Sequence, residues 1–178
     1  MTTDLENNLD LEARLNDSPI SNVNDINGIA HSGHPQELRL WLRLLTCTQL
    51  IEKQIRTELR VQFETTLPRF DLMAQLERNP DGLKMNDLSR RMMVSGGNVT
   101  GITDQLVNEK LVERVSVDGD RRSFRIKLTD KGRNSFAEMA AAHENWIVEA
   151  FSSLKDTDIG TLYKLLGQVK QHSLKDIT

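Results

Sequence analysis

Glycines and short polar side chains are concentrated between residues 95 and 104. Val99, Ile102 and Leu106 recur at helical spacing and define one apolar face. The positions away from that face are Ser95, Gly96, Gly97, Asn98, Thr100, Gly101, Thr103 and Asp104. Short polar side chains can reach base edges and phosphates in a DNA groove, and glycines let a backbone approach closely. The segment therefore predicts a helix whose outer face contacts DNA, with Ser95 as its N-cap.

Cationic side chains flank this predicted helix along the chain. Arg121 and Arg122 follow Asp118-Gly119-Asp120, and we expect this charged tip to enter a narrow minor groove, with Asp120 holding an arginine in position. A polar hairpin turn without DNA contact is the simpler interpretation of the same residues. Contacts to phosphates, which add affinity without sequence information, are expected from Arg90, Arg91, Arg125 and Lys127.

The segments around these residues predict a helix-turn-helix followed by a β-hairpin. A short helix over Met85–Met92, a glycine-bearing turn and a second helix over Asn98–Glu109 give the first motif. Leu111–Val117 and Ser123–Leu128 follow as two strands, and in the second Phe124, Ile126 and Leu128 alternate with polar residues. The hairpin would form a wing beside the helix-turn-helix.

Longer helices are predicted on either side of this module. A helical apolar pattern runs from Gln36 to Leu59 and is wide enough to pack on two sides. Pro68 opens a short helix, and Thr129 is expected to cap a long helix that precedes a final one. Residues 1–35 are acidic, rich in Asn, Asp and Ser, and predicted to be a flexible arm. The predicted fold class is mainly α, with a winged helix-turn-helix and a two-stranded β wing.

Composition limits the classes of protein that fit. The chain has 178 residues and a net charge of −3, but Leu83–Arg133 carries eleven Lys and Arg against seven Asp and Glu. This local excess of positive charge suits a DNA-reading unit. We find no apolar stretch long enough for a membrane helix, no signal peptide and no metal-ligand spacing, so we expect a cytoplasmic protein without metal or cofactor. No nucleophile with a base and no phosphate-binding loop suggests an enzyme.

The middle of the chain resembles the MarR family of winged-helix transcriptional regulators. The resemblance covers roughly Leu38 to Leu174, and its most specific parts are VTGITDQLVNEKLVER, the DRRS segment at Asp120–Ser123 and the LT-x-x-G at Leu128–Gly132. One departure is Lys84-Met85 at the start of the first motif helix, where the family often has Thr, so Asn86 is expected to cap it.

The resemblance implies how the protein works. Members of the family are homodimers that bind palindromic operator DNA and are usually released by a small, often aromatic, ligand. Residues 36–66 and 134–178 would form the helical dimerisation region, and residues 67–133 the winged helix-turn-helix domain. Arg122 would be the minor-groove arginine and Asp120 its partner. We therefore expect a homodimeric repressor.

The effector site is predicted on three helices. Arg39 and Arg43 share a helix face beside Trp41, and guanidinium groups next to an aromatic wall suit an aromatic acid. Solvated surface or salt bridges across a dimer are the simpler interpretation. Further candidates are Arg69, Phe70, His143 and Trp146. The segment RLWLRLLTCTQLIE is similar to regulators of hydroxycinnamate catabolism, which implies a phenolic acid or its coenzyme A thioester as the effector.

Two other functions fit the same residues. Some relatives sense oxidants through a cysteine, but Cys47 lies in mid-helix, where we expect a packed, inert thiol. A winged helix that binds a protein and has no DNA affinity is also open, because a fold does not fix a function.

Overall fold

The computed structural model describes residues 35–117 and 120–175, and the side chains of residues 35–116 and 124–173. Within these residues the chain forms six helices and a two-stranded antiparallel sheet. The predicted acidic arm lies outside the described residues, apart from Pro35. The chain divides into two compact units, residues 1–53 and 54–178, which are described separately.

The elements follow the predicted order. The first helix, α1, spans Gln36–Phe63 and contains the boundary between the two units. The second unit continues with α2 (Leu67–Glu77), α3 (Met85–Met92), α4 (Gly96–Asn108), β1 (Val112–Val117), β2 (Asp120–Leu128), α5 (Asp130–Ala150) and α6 (Asp156–Lys175). The predicted mainly α fold with a two-stranded wing is therefore confirmed.

The core of the second unit lies where α2 contacts α3, α4, α5 and β2. Leucines dominate it because their side chains fill a helical interior with little loss of rotamer freedom. The largest fully buried side chains are those of Leu59, Leu72, Met73, Leu76, Leu88, Leu106, Ile126, Val99, Val112 and Thr103. This core fixes α4 against α2 and the base of the hairpin.

The hairpin differs from the prediction in two respects. Strand β2 begins at Asp120, so Arg121 and Arg122 belong to the strand and not to the link before it. Phe124, which alternates in step with Ile126 and Leu128, is 44% exposed, whereas Ile126 and Leu128 are buried. The reason is that Phe124 pairs with Ser116 toward the tip, beyond the hairpin base where the buried side chains lie. The prediction also missed a bridge at that base, in which Leu83 exchanges backbone hydrogen bonds of 3.1 and 2.8 Å with Ile126.

The LT-x-x-G motif forms the junction between α4, β1 and α5. The hydroxyl of Thr129 caps α5 by accepting from the backbone N–H of Gly132 at 3.0 Å, which confirms the predicted cap. The same hydroxyl donates to the carbonyl of Lys110 at 2.7 Å, and the Thr129 N–H donates to the carbonyl of Leu111 at 3.1 Å. A Cβ at Gly132 would lie 1.9 Å from that Leu111 carbonyl oxygen, so the close packing requires glycine here.

We predict that Gly132→Ala lowers the free energy of unfolding by about 3 kcal/mol. The added methyl group would force the carbonyl of Leu111 away from the start of α5. Urea unfolding followed by circular dichroism, at one fixed protein concentration, measures the change.

Gly101→Ala is the matched control for this experiment. A Cβ at Gly101 meets no atom of the described residues within 4 Å, so alanine is expected to raise the free energy of unfolding by about 1 kcal/mol. A wild-type unfolding midpoint for Gly132→Ala would show that the junction does not constrain the fold.

Candidate functional site

The turn of the helix-turn-helix is held by local hydrogen bonds. Met93 ends α3 in the left-handed conformation, with φ of 56°, and the Ser89 hydroxyl donates to the carbonyl of Val94 at 2.6 Å. Ser95 then caps α4, its hydroxyl accepting from the backbone N–H of Asn98 at 3.4 Å. The predicted N-cap is therefore confirmed.

The start of α3 differs from the prediction. The helix begins at Met85, so Lys84 is the N-cap residue and its side chain makes no capping hydrogen bond. Asn86 already lies inside the first turn and cannot act as the cap. The predicted cap at Asn86 is wrong because the backbone is extended at Lys84 and already helical from Met85.

The buried face of α4 consists of Val99, Thr103 and Leu106. Thr103 was predicted to lie on the outer face, but it has no exposed surface, and its hydroxyl points at the Met85 sulfur at 3.8 Å. The reason is spacing, because Thr103 lies four residues after Val99 and three before Leu106. Thr103 is therefore removed from the candidate DNA contacts and assigned to the core beneath α4.

The outer face of α4 is open and carries three glycines beside exposed polar side chains. A Cβ at Gly96, Gly97 or Gly101 would meet no other atom of the described residues within 4 Å. Thr100 is exposed on the same face and its hydroxyl donates back to the carbonyl of Gly96 at 2.9 Å, while Asn98 is half-buried. Glycine inside a helix costs about 1 kcal/mol relative to alanine. No contact within the described chain requires glycine at position 101, so packing does not account for this loss of helix stability.

The arginines near α4 differ in how they are held. Arg90 is 77% exposed and pairs with Asp87 at 2.6 Å within α3, and Arg91 beside it is exposed. Arg125 instead donates to the backbone carbonyl of Gly82 at 2.9 Å, which gives it a structural contact at the hairpin base. The side chains of Asp120, Arg121 and Arg122 lie outside the described residues.

Asp104 on α4 pairs with Arg114 of β1. Both side chains are about half-exposed, at 51% and 43%. The pair joins the middle of α4 to the wing strand that follows it.

Three of the residues predicted to bind an effector lie together in the second unit. The ring centroids of Phe70 and His143 are 5.0 Å apart, and those of His143 and Trp146 are 6.4 Å apart. Phe136 lies 5.4 Å from Phe70, and Phe63 lies 6.2 Å from Trp146. We call these five side chains the aromatic cluster. Partial burial of His143 lowers its pKa from the ordinary 6.5, so the neutral imidazole is favoured.

Arg69, next to Phe70 in sequence, has a largely buried side chain. Its guanidinium pairs with the carboxylate of Glu109, which is the C-cap residue of α4. Its Nε is buried and has no hydrogen-bond partner among the described residues. The pair therefore joins the first turn of α2 to the last turn of α4.

The remaining candidates lie in the first unit, on the N-terminal half of α1. Arg39, Trp41 and Arg43 are exposed there, with Trp41 at 58%. Cys47 is also exposed, so the expectation of a packed thiol was wrong. The prediction failed because Cys47 lies outside the stripe that contains the buried Ile55 and Leu59 further along the helix.

Neither a metal site nor a membrane-spanning helix occurs in the described part of the chain. No group of three or more His, Cys, Asp or Glu side chains there is arranged to hold a metal ion. No helix in that part is both long and apolar enough to cross a bilayer.

Comparisons with known proteins assign the family. The family model described as "MarR family" matches residues 64–123, from the end of α1 into β2. The helix-turn-helix transcriptional regulator YsmB of Bacillus subtilis is 30% identical over 125 residues, which cover 70% of this chain and 84% of YsmB. The chain belongs to the MarR family. Its α3, α4 and β1–β2 hairpin are thus the winged helix of a transcriptional regulator.

Solved structures agree with this assignment. A MarR family transcriptional regulator from Silicibacter pomeroyi is 32% identical, with a TM-score of 0.65 over 77% of this chain and 94% of its own. A mutant MarR from Escherichia coli, solved with operator DNA, is 22% identical, with a TM-score of 0.62 over 71% of this chain and 91% of its own. The second likeness concerns the fold alone.

Two members of the aromatic cluster were missed by sequence reasoning in this MarR-family chain. Phe136 lies seven residues before His143 and ten before Trp146 on α5, a spacing that places all three on one helix face. That periodicity was sufficient to find Phe136. Phe63 is the last residue of α1, and no local pattern connects it with Trp146.

We predict that His143→Phe reduces the pH dependence of stability. Because the folded-state pKa of His143 is lowered, the unfolded chain binds the proton more readily. The stability that the neutral imidazole contributes is fully present well above the unfolded pKa of 6.5. It is lost as the pH falls through that value toward the folded-state pKa. Urea unfolding from about pH 8 to about pH 5 compares the two proteins.

At about pH 8 the two proteins serve as each other's control, since His143 of the wild type is then almost entirely neutral in both the folded and the unfolded chain. The free energy of unfolding should fall less steeply toward acid in His143→Phe than in the wild type. Identical slopes would show that the cluster does not disfavour the charged imidazole.

Proposed function

We propose that this MarR-family protein is a homodimeric repressor that binds a palindromic operator and is released by a small aromatic acid or its coenzyme A thioester. The observation that supports DNA binding best is the open outer face of α4. Gly97 and Gly101 are one helical turn apart there, and neither is required by packing within the described chain. Close approach of this surface to DNA would explain why glycine occupies a position where alanine would give a more stable helix.

The proposed contacts fall into two classes. Gly96, Gly97, Asn98 and Thr100 would bring α4 to base edges and phosphates, with the free backbone N–H groups after Ser95 facing a phosphate. Arg90 and Arg91 would bind phosphates, while Asp120, Arg121 and Arg122 would place an arginine in the minor groove. Arg125 would contribute mainly by fixing the hairpin base through Gly82.

Dimerisation is supported by exposed apolar side chains on α6. Leu165 is 53% exposed, Leu166 38% and Val169 57%, and their spacing of one, three and four residues places them on one helix face. A second copy of the chain would bury this face, because a symmetric interface uses the same patch on both subunits. On α1 of the first unit, Leu40, Trp41 and Leu50 are also more than half exposed.

An aromatic effector is supported by the aromatic cluster and by Arg69. Phe70 and Trp146 are buried and His143 is half-buried, so their rings would form the inner wall of such a site, and Arg69 would pair with a carboxylate. Arg39, Trp41 and Arg43 remain a separate prediction for ligand contact on α1.

Fluorescence anisotropy tests the function. The protein is titrated against fragments of its own promoter region, with a palindromic fragment, a half-site fragment and a random duplex of equal length. A homodimeric regulator binds the palindrome with a strong salt dependence and the half-site much more weakly. Adding aromatic acids or their coenzyme A thioesters should release the labelled DNA. Equal binding to all three duplexes would favour a winged helix that binds protein instead.

We predict that Gly101→Ala weakens operator binding about tenfold while stabilising the fold. The added methyl group projects into the open space outside α4, where the proposed DNA surface would lie. The same anisotropy titration at constant salt measures the loss. Wild-type affinity in this variant would remove the glycine face from the interface.

We predict that Arg122→Ala loses about 1–3 kcal/mol of operator affinity, the range for one good contact to DNA. Lys155→Ala is the control, because it removes one positive charge from an exposed residue between α5 and α6. A binding curve for Arg122→Ala that coincides with that of Lys155→Ala would show that the wing arginine does not contact DNA.

A further inference from the structure

Met93, in the turn of the helix-turn-helix, has the most exposed large apolar side chain among the described residues. The side chain is 93% exposed, whereas Met92 and Val94 on either side of it are half-buried. Between α2 and the start of α5, Phe124 is the other large apolar side chain that is exposed in the described part of the chain. An apolar side chain left in water gains nothing from the hydrophobic effect, so the core gives no reason for methionine here.

The backbone conformation at Met93 gives no reason for methionine either. It is left-handed, with φ of 56° and ψ of 35°, a region where glycine is the usual residue because a Cβ crowds the following carbonyl oxygen. The Met93 N–H donates to the carbonyl of Arg90 at 3.3 Å and the Val94 N–H to that of Ser89 at 3.2 Å, which closes the end of α3. The fold thus requires the left-handed backbone at this position but not the methionine side chain.

Met93 lies at the N-terminal end of α4, and in helix-turn-helix proteins this end of the second helix contacts base edges in the major groove. Ser95, two residues later, is the N-cap of α4. Gly96 and Gly97 follow it, and a Cβ at either would meet no other described atom within 4 Å. The start of α4 is therefore mostly backbone, and Met93 adds a long, adaptable apolar side chain beside it.

An apolar side chain has one counterpart among the groups that distinguish base pairs in the major groove. The C5-methyl group of thymine is apolar, whereas the other distinguishing groups are hydrogen-bond donors or acceptors. Phosphates favour cations, which the exposed Arg90 and Arg91 at the end of α3 already offer. A methionine side chain at this position therefore suits a thymine methyl group and adds nothing to phosphate binding.

We propose that Met93 is a specificity-determining residue that recognises thymine by burying the C5-methyl group of the base against its side chain. The proposal rests on the proposed function, since it names a base that the winged helix would recognise. The hydrogen-bonded turn fixes the backbone of Met93, so binding orders only the side chain. Burial of one methyl group corresponds to about a fourfold gain in affinity for each half-site.

Deoxyuridine tests this contact, because it pairs as thymidine does and lacks only the methyl group. The promoter fragment that binds most tightly in the anisotropy titration is made a second time with deoxyuridine in place of every thymidine. The wild type should bind the uracil duplex about fourfold more weakly for each half-site than the thymine duplex. The ratio of the two affinities should stay constant as salt rises, because an apolar contact releases no counterions.

Two variants of Met93 separate its side chain from its backbone. Met93→Gly removes the side chain and suits the left-handed conformation, so the fold should be retained. This variant should bind the thymine duplex about fourfold more weakly for each half-site and lose the preference for thymine over uracil. Met93→Leu keeps an apolar side chain and should keep that preference. Phe124→Ala is the matched control, because it removes an exposed apolar side chain from the wing, whose proposed contact is with the minor groove, where no methyl group lies.

Three results would overturn the proposal. They are equal affinity of the wild type for the two duplexes, an undiminished preference for thymine in Met93→Gly, and loss of that preference in Phe124→Ala. Absence of binding to every promoter fragment would contradict the proposed DNA-binding function itself. Binding that ignores the methyl group would contradict only the role of Met93, so the two failures remain distinguishable.

Discussion

The position of α4 depends on how its two ends are held. At its start, Ser95 caps the helix and the turn before it is closed by Ser89. At its end, the chain reverses through Lys110, with φ of 61°, into the junction formed by Thr129 and Leu111. A reading helix must keep its register within a fraction of a residue, so constraints at both ends matter more than the intrinsic stability of the helix.

This arrangement explains why α4 tolerates a sequence that favours helix poorly. Three of its thirteen residues are glycines, and isolated helices of this length are marginal even with better helix formers. The buried face of Val99, Thr103 and Leu106 supplies the packing that the glycine-bearing face cannot. Stability thus depends on one face of the helix, and the opposite face is left open for the proposed contact with DNA.

Sequence reasoning predicted the secondary-structure elements more reliably than the side-chain contacts between them. Periodicity predicted the helix-turn-helix and both caps, Ser95 and Thr129, because these depend on residues three or four apart. It failed for Thr103, which was assigned to the outer face for its polar residue type although its spacing from Val99 and Leu106 places it on the buried face. The Arg69–Glu109 pair joins residues forty positions apart, and no local pattern contains that information. Three of the five members of the aromatic cluster were predicted; Phe136 was missed although it shares an α5 face with His143 and Trp146, and Phe63 was missed because it arrives from another helix.

The Arg69–Glu109 contact adds to these constraints without dominating them. Glu109 is 44% exposed, and an ion pair that water can reach is worth about 1 kcal/mol or less. Arg69 lies in the first turn of α2 and Glu109 ends α4, so each charge stands at the helix end that the helix dipole disfavours for it. The Lys131 ammonium donates to the Glu109 carbonyl at 3.0 Å and brings a second cation to the same helix end. The end of α4 is therefore held by several weak contacts and not by one strong contact.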